Sequence, residues 1–138
     1  MEPFQHSISI LVVEDDKVTR EVIDLMIPKK FPNVTIYTSA NGRTGVELFK
    51  KHAPGIVITD IQMPDMDGIE MAGEIKAIKP DTKFIVVTAY GNTSYYEKFN
   101  KIGFHDFLSK PIEFEKLYAA IGKCIAEIMN NQAGPEFH

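Results

Sequence analysis

At 138 residues, 44% of them hydrophobic and 25% charged, the chain is long enough to bury the core of one domain without disulfides or a structural metal. A formal net charge of -4 and a pI near 5.5, with no cluster of Lys and Arg, argue against a nucleic-acid surface. The single cysteine, Cys124, rules out an internal disulfide, and no apolar stretch approaches the roughly 20 residues of a membrane span, so the sequence predicts a cytoplasmic protein.

Residues 8–13 form an unbroken apolar run rich in β-branched side chains, which suits a strand covered on both faces. Asp16 is placed to cap the helix that follows, where Val18, Val22, Leu25 and Met26 recur at helical spacing until Pro28, which sits poorly inside a helix, so the helix is expected to end near there. A short strand is predicted over 34–38. Asn41 then caps a second helix reaching about His52, with Val46 and Phe49 on its inner face, and Pro54-Gly55 breaks the pattern before the strand Ile56–Thr59. Residues 62–67 read as a loop because Pro64 and two acidic residues interrupt any period, and Asp67 is placed to cap a third helix carried by Met71, Ile75 and Ile78.

Residues 84–87 repeat the β-branched pattern of the first strand. The fourth helix, 92–101, has poor propensity through Thr93-Ser94-Tyr95-Tyr96 and only Tyr95, Tyr96 and Phe99 as apolar anchors, so it is expected to be among the least stable elements. Gly103 ends it. A strand near 104–108 leads to Ser109-Lys110-Pro111, and Phe114, Leu117, Ile121, Cys124, Ile125 and Ile128 mark a long amphipathic last helix, with Cys124 read as a small buried helix residue. Five βα units in strict alternation imply an α/β fold: a doubly wound parallel sheet with helices on both faces. The domain is expected over 7–130, with 131–138 as an appended tail. His6, His52, His105 and His138 share neither a helical face nor a metal-like spacing and read as surface residues.

Four of the apolar runs end in a reactive polar residue: Glu14-Asp15, Asp60, Thr88 and Lys110. In an open parallel sheet, residues just past the carboxyl ends of the strands gather in one crevice. A lone aspartate after a strand is more often a loop or cap residue than a nucleophile, but here several carboxylates converge. Their mutual repulsion calls for positive charge, which Lys110 and a magnesium ion with oxygen ligands would supply. A carboxylate can itself attack a phosphoryl group to give an acyl phosphate. Asp60 stands alone at its strand end and is the candidate nucleophile. Glu14 and Asp15 are better placed to hold metal, and Asp16 is better used as the helix cap than as half of an alternative Asp15-Asp16 pair.

The motifs Val12-Val13-Glu14-Asp15, Asp60 with Met63-Pro64 and Asp67-Gly68, Val87-Thr88-Ala89, and Ser109-Lys110-Pro111 together resemble the receiver domain of two-component response regulators, in the minimal form of the chemotaxis-type regulators. The resemblance covers about 8–129. It implies a flavodoxin-like five-stranded sheet of order 2-1-3-4-5, with Asp60 as the phosphorylated aspartate and Mg2+, or Mn2+, held directly by Asp15, through water by Glu14, and by Asp60 and the backbone carbonyl of Gln62. It also implies that Thr88 and Lys110 contact the phosphoryl oxygens, that the Lys110-Pro111 bond is cis, and that Thr88 and Phe107 form a switch, with Phe where the family often has Tyr.

Gln62 and Tyr90 occupy the positions that tune acyl-phosphate lifetime, and a bulky Tyr90 is expected to slow hydrolysis. The implied partners are a sensor histidine kinase or phosphotransfer domain, and an output domain or target on the face made by the fourth helix, fifth strand and last helix. Such a protein is a signalling phosphoacceptor, not an enzyme of multiple turnover. Three rival readings share parts of this pattern. An aspartate-nucleophile phosphatase of the haloacid dehalogenase type wants an aspartate at position 62, which is Gln; a flavodoxin-like electron carrier would not place Glu14-Asp15-Asp16 against a flavin phosphate; a degenerate receiver would not be expected to keep all five site residues.

Overall fold

The computed structural model describes residues 8–89 and 93–133. Ten elements alternate in chain order: β1 (Ser9–Val13), α1 (Lys17–Lys30), β2 (Thr35–Ser39), α2 (Gly42–His52), β3 (Ile56–Thr59), α3 (Gly68–Ile78), β4 (Lys83–Thr88), α4 (Thr93–Ile102), β5 (Asp106–Ser109) and α5 (Phe114–Ala133). The strands make one parallel sheet in the order β2-β1-β3-β4-β5, as the resemblance implies. The three inner strands are the three most apolar runs, and they are buried almost throughout, whereas the edge strands β2 and β5 are only partly covered.

Side chains of a strand alternate between the two faces of the sheet, and this period of two sorts the core into two halves. Leu11, Val13, Val57, Phe84 and Val86 pack with Val46 and Phe49 of α2, Met71, Ala72 and Ile75 of α3, and Phe99 of α4. Ile10, Val12, Ile56, Ile58, Ile85 and Val87 pack with Ile23 and Ile27 of α1 and Leu117, Ala120, Ile121 and Cys124 of α5. Burial pushes the Cys124 thiol up to about 12, in keeping with a packing residue. Asp16, Asn41 and Asp67 each accept a hydrogen bond from the backbone N–H three residues on, at 2.8 Å, and so start α1, α2 and α3 as expected.

Several local expectations are corrected. α1 ends at Lys30, near Pro28 as expected, but it keeps that proline inside its last turn, where a proline forgoes only one backbone hydrogen bond. Its buried face is Ile23 and Ile27, while Val18, Val22 and Leu25 are 68%, 39% and 59% exposed. In α3, Met71 and Ile75 face inward with Ala72, but Ile78 is largely exposed at the helix end. β2 starts at Thr35 and β5 at Asp106, so Phe104 precedes its strand and packs beside the core instead. Gly103 ends α4 with φ +106°, and its N–H donates to the Phe99 carbonyl at 2.7 Å. The glycine supplies the left-handed turn there.

Phe99 is fully buried, whereas the side chains of Tyr95 and Tyr96 lie outside the described residues. α5 runs to Ala133, past the boundary expected at 130. His52 is not a free surface residue, since its ring stacks on Tyr37 at 3.9 Å. His105 faces Glu127 at 3.4 Å, and His6 and His138 lie outside the described residues. Among the described residues no helix is long and apolar enough to cross a membrane.

Candidate functional site

The hydrogen-bonded ladders run one residue past β1, β3 and β5. Glu14 N–H donates to the Ser39 carbonyl at 3.0 Å, Asp60 N–H to Val13 at 3.2 Å, and Lys110 N–H to Thr88 at 2.8 Å. The backbones of the first residues beyond β1, β3 and β5 are therefore fixed by the sheet itself. Neighbouring registers pair Val13 with Thr59 and Thr88 with Ser109, which sets these strand ends side by side.

Glu14, Asp15 and Asp60 each place a carboxylate oxygen within 4.8 Å of the others. Asp16 is not one of this trio; its carboxylate serves the α1 cap, with Thr19 N–H at 2.8 Å and Thr19 Oγ1 at 2.7 Å. Those two donors hold its pKa below the ordinary value. Lys110 Nζ reaches Asp60 Oδ2 at 2.7 Å and Glu14 Oε1 at 2.9 Å. The other oxygen of Asp60 accepts from the Ile61 N–H at 2.6 Å, and that of Glu14 from the Asp16 N–H at 3.0 Å.

Glu14 and Asp60 are 3% and 7% exposed, while Asp15 lies open to solvent. Burial raises the Glu14 pKa, and its bonds to Lys110 and Asp16 only partly offset that cost. Burial also works against the Lys110 charge, but the hydrogen bonds to Asp60 and Glu14 outweigh it and hold the lysine above its ordinary pKa. Hard oxygen donors, two of them buried and one open, suit a divalent cation of the magnesium type.

The loop from Ile61 to Asp67 is folded back on apolar anchors. Ile61, Met63 and Met66 are buried and Gln62 is exposed. α3 begins directly against the end of β3: a Cβ on Gly68 would meet the Asp60 carbonyl oxygen, and the Gly68 N–H donates to Ile61 O at 2.8 Å. Only glycine permits that approach. Thr88 is the last residue of β4 and 3% exposed. Phe107, half-buried on β5, packs edge-on to Phe104 with ring centroids 5.5 Å apart. The Lys110-Pro111 bond is cis. Tyr90 lies outside the described residues.

Sequence reasoning missed two supports. Arg20 Nη1 donates to the Glu14 carbonyl at 2.8 Å, a reach across the strand-to-helix turn that no motif marks. Arg43 Nε bonds Asp65 Oδ2 at 3.2 Å where Asp65 adopts φ +75°, tying the loop after Asp60 to α2. A non-glycine residue at positive φ is a signal, but only coordinates reveal it.

Known proteins resemble this chain in sequence and fold. The chemotaxis protein CheY of Bacillus subtilis is 35% identical over 117 residues, covering 84% of this chain and 96% of that protein. A cyclic di-GMP phosphodiesterase of Thermotoga maritima is 35% identical over 109 residues, 79% of this chain, yet the match spans only 28% of that longer protein. The crystal structure of the N-terminal domain of an uncharacterized protein from Wolinella succinogenes superposes with a TM-score of 0.84 at 35% identity, covering 91% of this chain and 99% of that one. A family model for the response regulator receiver domain matches residues 10–122. On that match, which takes in most of the chain, the protein belongs to the family of response regulator receiver domains, the signalling modules of two-component systems.

Proposed function

We propose that this receiver domain accepts a phosphoryl group on Asp60 from the phosphohistidine of a sensor kinase or phosphotransfer domain. The observation that carries the reading is the Asp60 carboxylate, 7% exposed, in contact with Lys110 and grouped with Glu14 and Asp15 at the carboxyl edge of the sheet. A carboxylate oxygen of Asp60 attacks phosphorus, the P–N bond breaks, and the imidazole leaves with the electron pair and takes up a proton. Lys110 offsets negative charge on the phosphoryl oxygens. Asp15, Asp60 and the carbonyl of Gln62 would hold Mg2+ or Mn2+ directly and Glu14 through water; the bound ion supplies neutralisation of the charge that develops during transfer.

The product carries a charge of roughly -1.5 to -2 and three strong acceptors where one carboxylate stood. A new charge-assisted bond from Thr88, worth about 1.5 to 3 kcal/mol, biases two conformers by some 10- to 150-fold. Phe107 lies on β5, whose partner strand β4 ends in Thr88, so movement of the threonine is passed to the face made by α4, β5 and α5, where an output domain or target protein docks. Gln62 and Tyr90, two residues past Asp60 and Thr88, tune the lifetime of the acyl phosphate, and the domain turns over only its own phosphoryl group. Gln62 stands where an aspartate-nucleophile phosphatase carries its second aspartate.

Incubation with acetyl phosphate and magnesium followed by intact-mass measurement tests the reading. One phosphoryl group is expected on the wild type, and none on Asp60→Asn or after chelation of the metal. A wild-type mass that stays unchanged would overturn it.

A further inference from the structure

We propose that Arg43 is a positioning residue: acting from α2, outside the crevice, it clamps Asp65 and so sets the loop between β3 and α3 for metal binding. The inference rests on the phosphoacceptor reading, in which the backbone carbonyl of Gln62 in that loop is a metal ligand. The loop is tied down where it leaves β3 and where it enters α3, by the Asp60 N–H on Val13 O at 3.2 Å and the Gly68 N–H on Ile61 O at 2.8 Å. Between these ties Met63 and Met66 are buried, while Gln62 and Asp65 are exposed. Asp65 holds φ +75°, a conformation unfavourable for a residue with a Cβ and kept only where the surroundings impose it.

The first turn of α2 supplies those surroundings. A Cβ on Gly42 would meet Met66 O at 2.6 Å, so the helix starts directly against the loop backbone. The next residue, Arg43, donates from Nε to Asp65 Oδ2 at 3.2 Å. Asn41 fixes this turn by accepting from the Thr44 N–H at 2.8 Å. One turn on, Gly45 lies against Val13, where a Cβ would be 3.1 Å from Cγ2. Val13 directly precedes Glu14 and Asp15. The same helix therefore touches the strand that carries the acidic pair and the loop that carries Gln62, and the Arg43–Asp65 bond fixes the second relative to the first. With side chains 64% and 60% exposed, the pair adds little to global stability, so its effect is local.

Magnesium titration calorimetry on the intact chain tests this, because a clamp and a simple charge effect predict opposite signs. If Arg43 acted only through its charge, Arg43→Ala would bind magnesium more tightly at an acidic site, Asp65→Asn more weakly, and the double variant, with the net charge restored, as wild type does. For a clamp, all three variants are expected to bind about two- to fivefold more weakly, the loss of one exposed ion pair. Asn tolerates positive φ, so Asp65→Asn removes the bond without forcing the turn. Urea midpoints should stay at the wild-type value for Arg43→Ala, which separates loop placement from global unfolding. In the metal-free protein, NMR order parameters of the Gln62, Asp65 and Met66 amides are expected to fall in the same variant. Unchanged or tighter magnesium binding by Arg43→Ala, or wild-type binding by the double variant, would overturn the proposal. Should the wild type bind no magnesium and take up no phosphoryl group, the phosphoacceptor reading fails instead; the order parameters then decide whether Arg43 holds the loop, and unchanged values reject it.

Discussion

Each buried charged side chain in the crevice has a partner that accounts for its burial. Asp60 is held between the Ile61 N–H and Lys110, and Glu14 between the Asp16 N–H and the same lysine. A buried carboxylate without such donors would keep its proton. The candidate residues could be read from the sequence because each follows an apolar run, where a parallel sheet collects strand ends. Gly68 stands in a sequence motif beside Asp67, but its role in letting α3 start against Asp60 could not be read there, since a glycine beside an aspartate is a common turn pair. Gly68→Ala puts a methyl group against the Asp60 carbonyl and 3.1 Å from the Ile61 Cα. Backbone must shift to admit it, so the variant is expected to lose about 1 to 3 kcal/mol in urea unfolding and to take up phosphoryl groups more slowly in the mass assay.

At the scale of elements, α1 shows how periodicity can identify a helix and yet misassign its face. Two stripes repeat at helical spacing, Val18-Val22-Leu25 and Ile23-Ile27, and either can face a core. The sheet selects the second, because Ile23 and Ile27 meet Ile10, Val12 and α5 in one cluster. Ile27→Ala is therefore expected to cost about 2 to 5 kcal/mol, whereas Leu25→Ala, 59% exposed, should stay within about 0.5 kcal/mol of wild type. Denaturant midpoints of the two variants decide the matter, and a larger loss for Leu25→Ala would contradict the orientation of α1. Helix starts were more legible than helix faces, because a cap is a local bond between residues three apart: Asp16, Asn41 and Asp67 all act as the sequence suggests.

Over the whole molecule, a second group of charges lies at the amino-terminal end of β4 and β5, opposite the crevice. Glu127 of α5 faces Lys83 Nζ at 3.2 Å and His105 Nε2 at 3.4 Å, and Lys76 of α3 adds positive charge nearby. Burial, reinforced by Lys83 and Lys76 and opposed by Glu127, holds the His105 pKa below its ordinary 6.5. The unfolded chain then binds the proton more readily than the folded one. The contribution of His105 to stability is full above pH 6.5 and is lost as the pH falls from there through the depressed value. Urea midpoints measured across that range should decline more steeply for the wild type than for His105→Gln, and parallel declines would contradict the assignment.

From the sequence alone came the alternation of five strands and five helices, the doubly wound class, and the choice of Glu14, Asp15, Asp60, Thr88 and Lys110 as candidate residues at the strand ends, because these depend on periodicity, caps and strand ends, all of them local. The tertiary structure decided which stripe of α1 is buried, that Pro28 stays inside its helix, that Arg20 and Gly68 brace the strand ends, and that Glu14 spends both oxygens on Asp16 and Lys110. Those outcomes depend on the distance between side chains far apart in the chain, and such distances exist only once the sheet has brought its strands together.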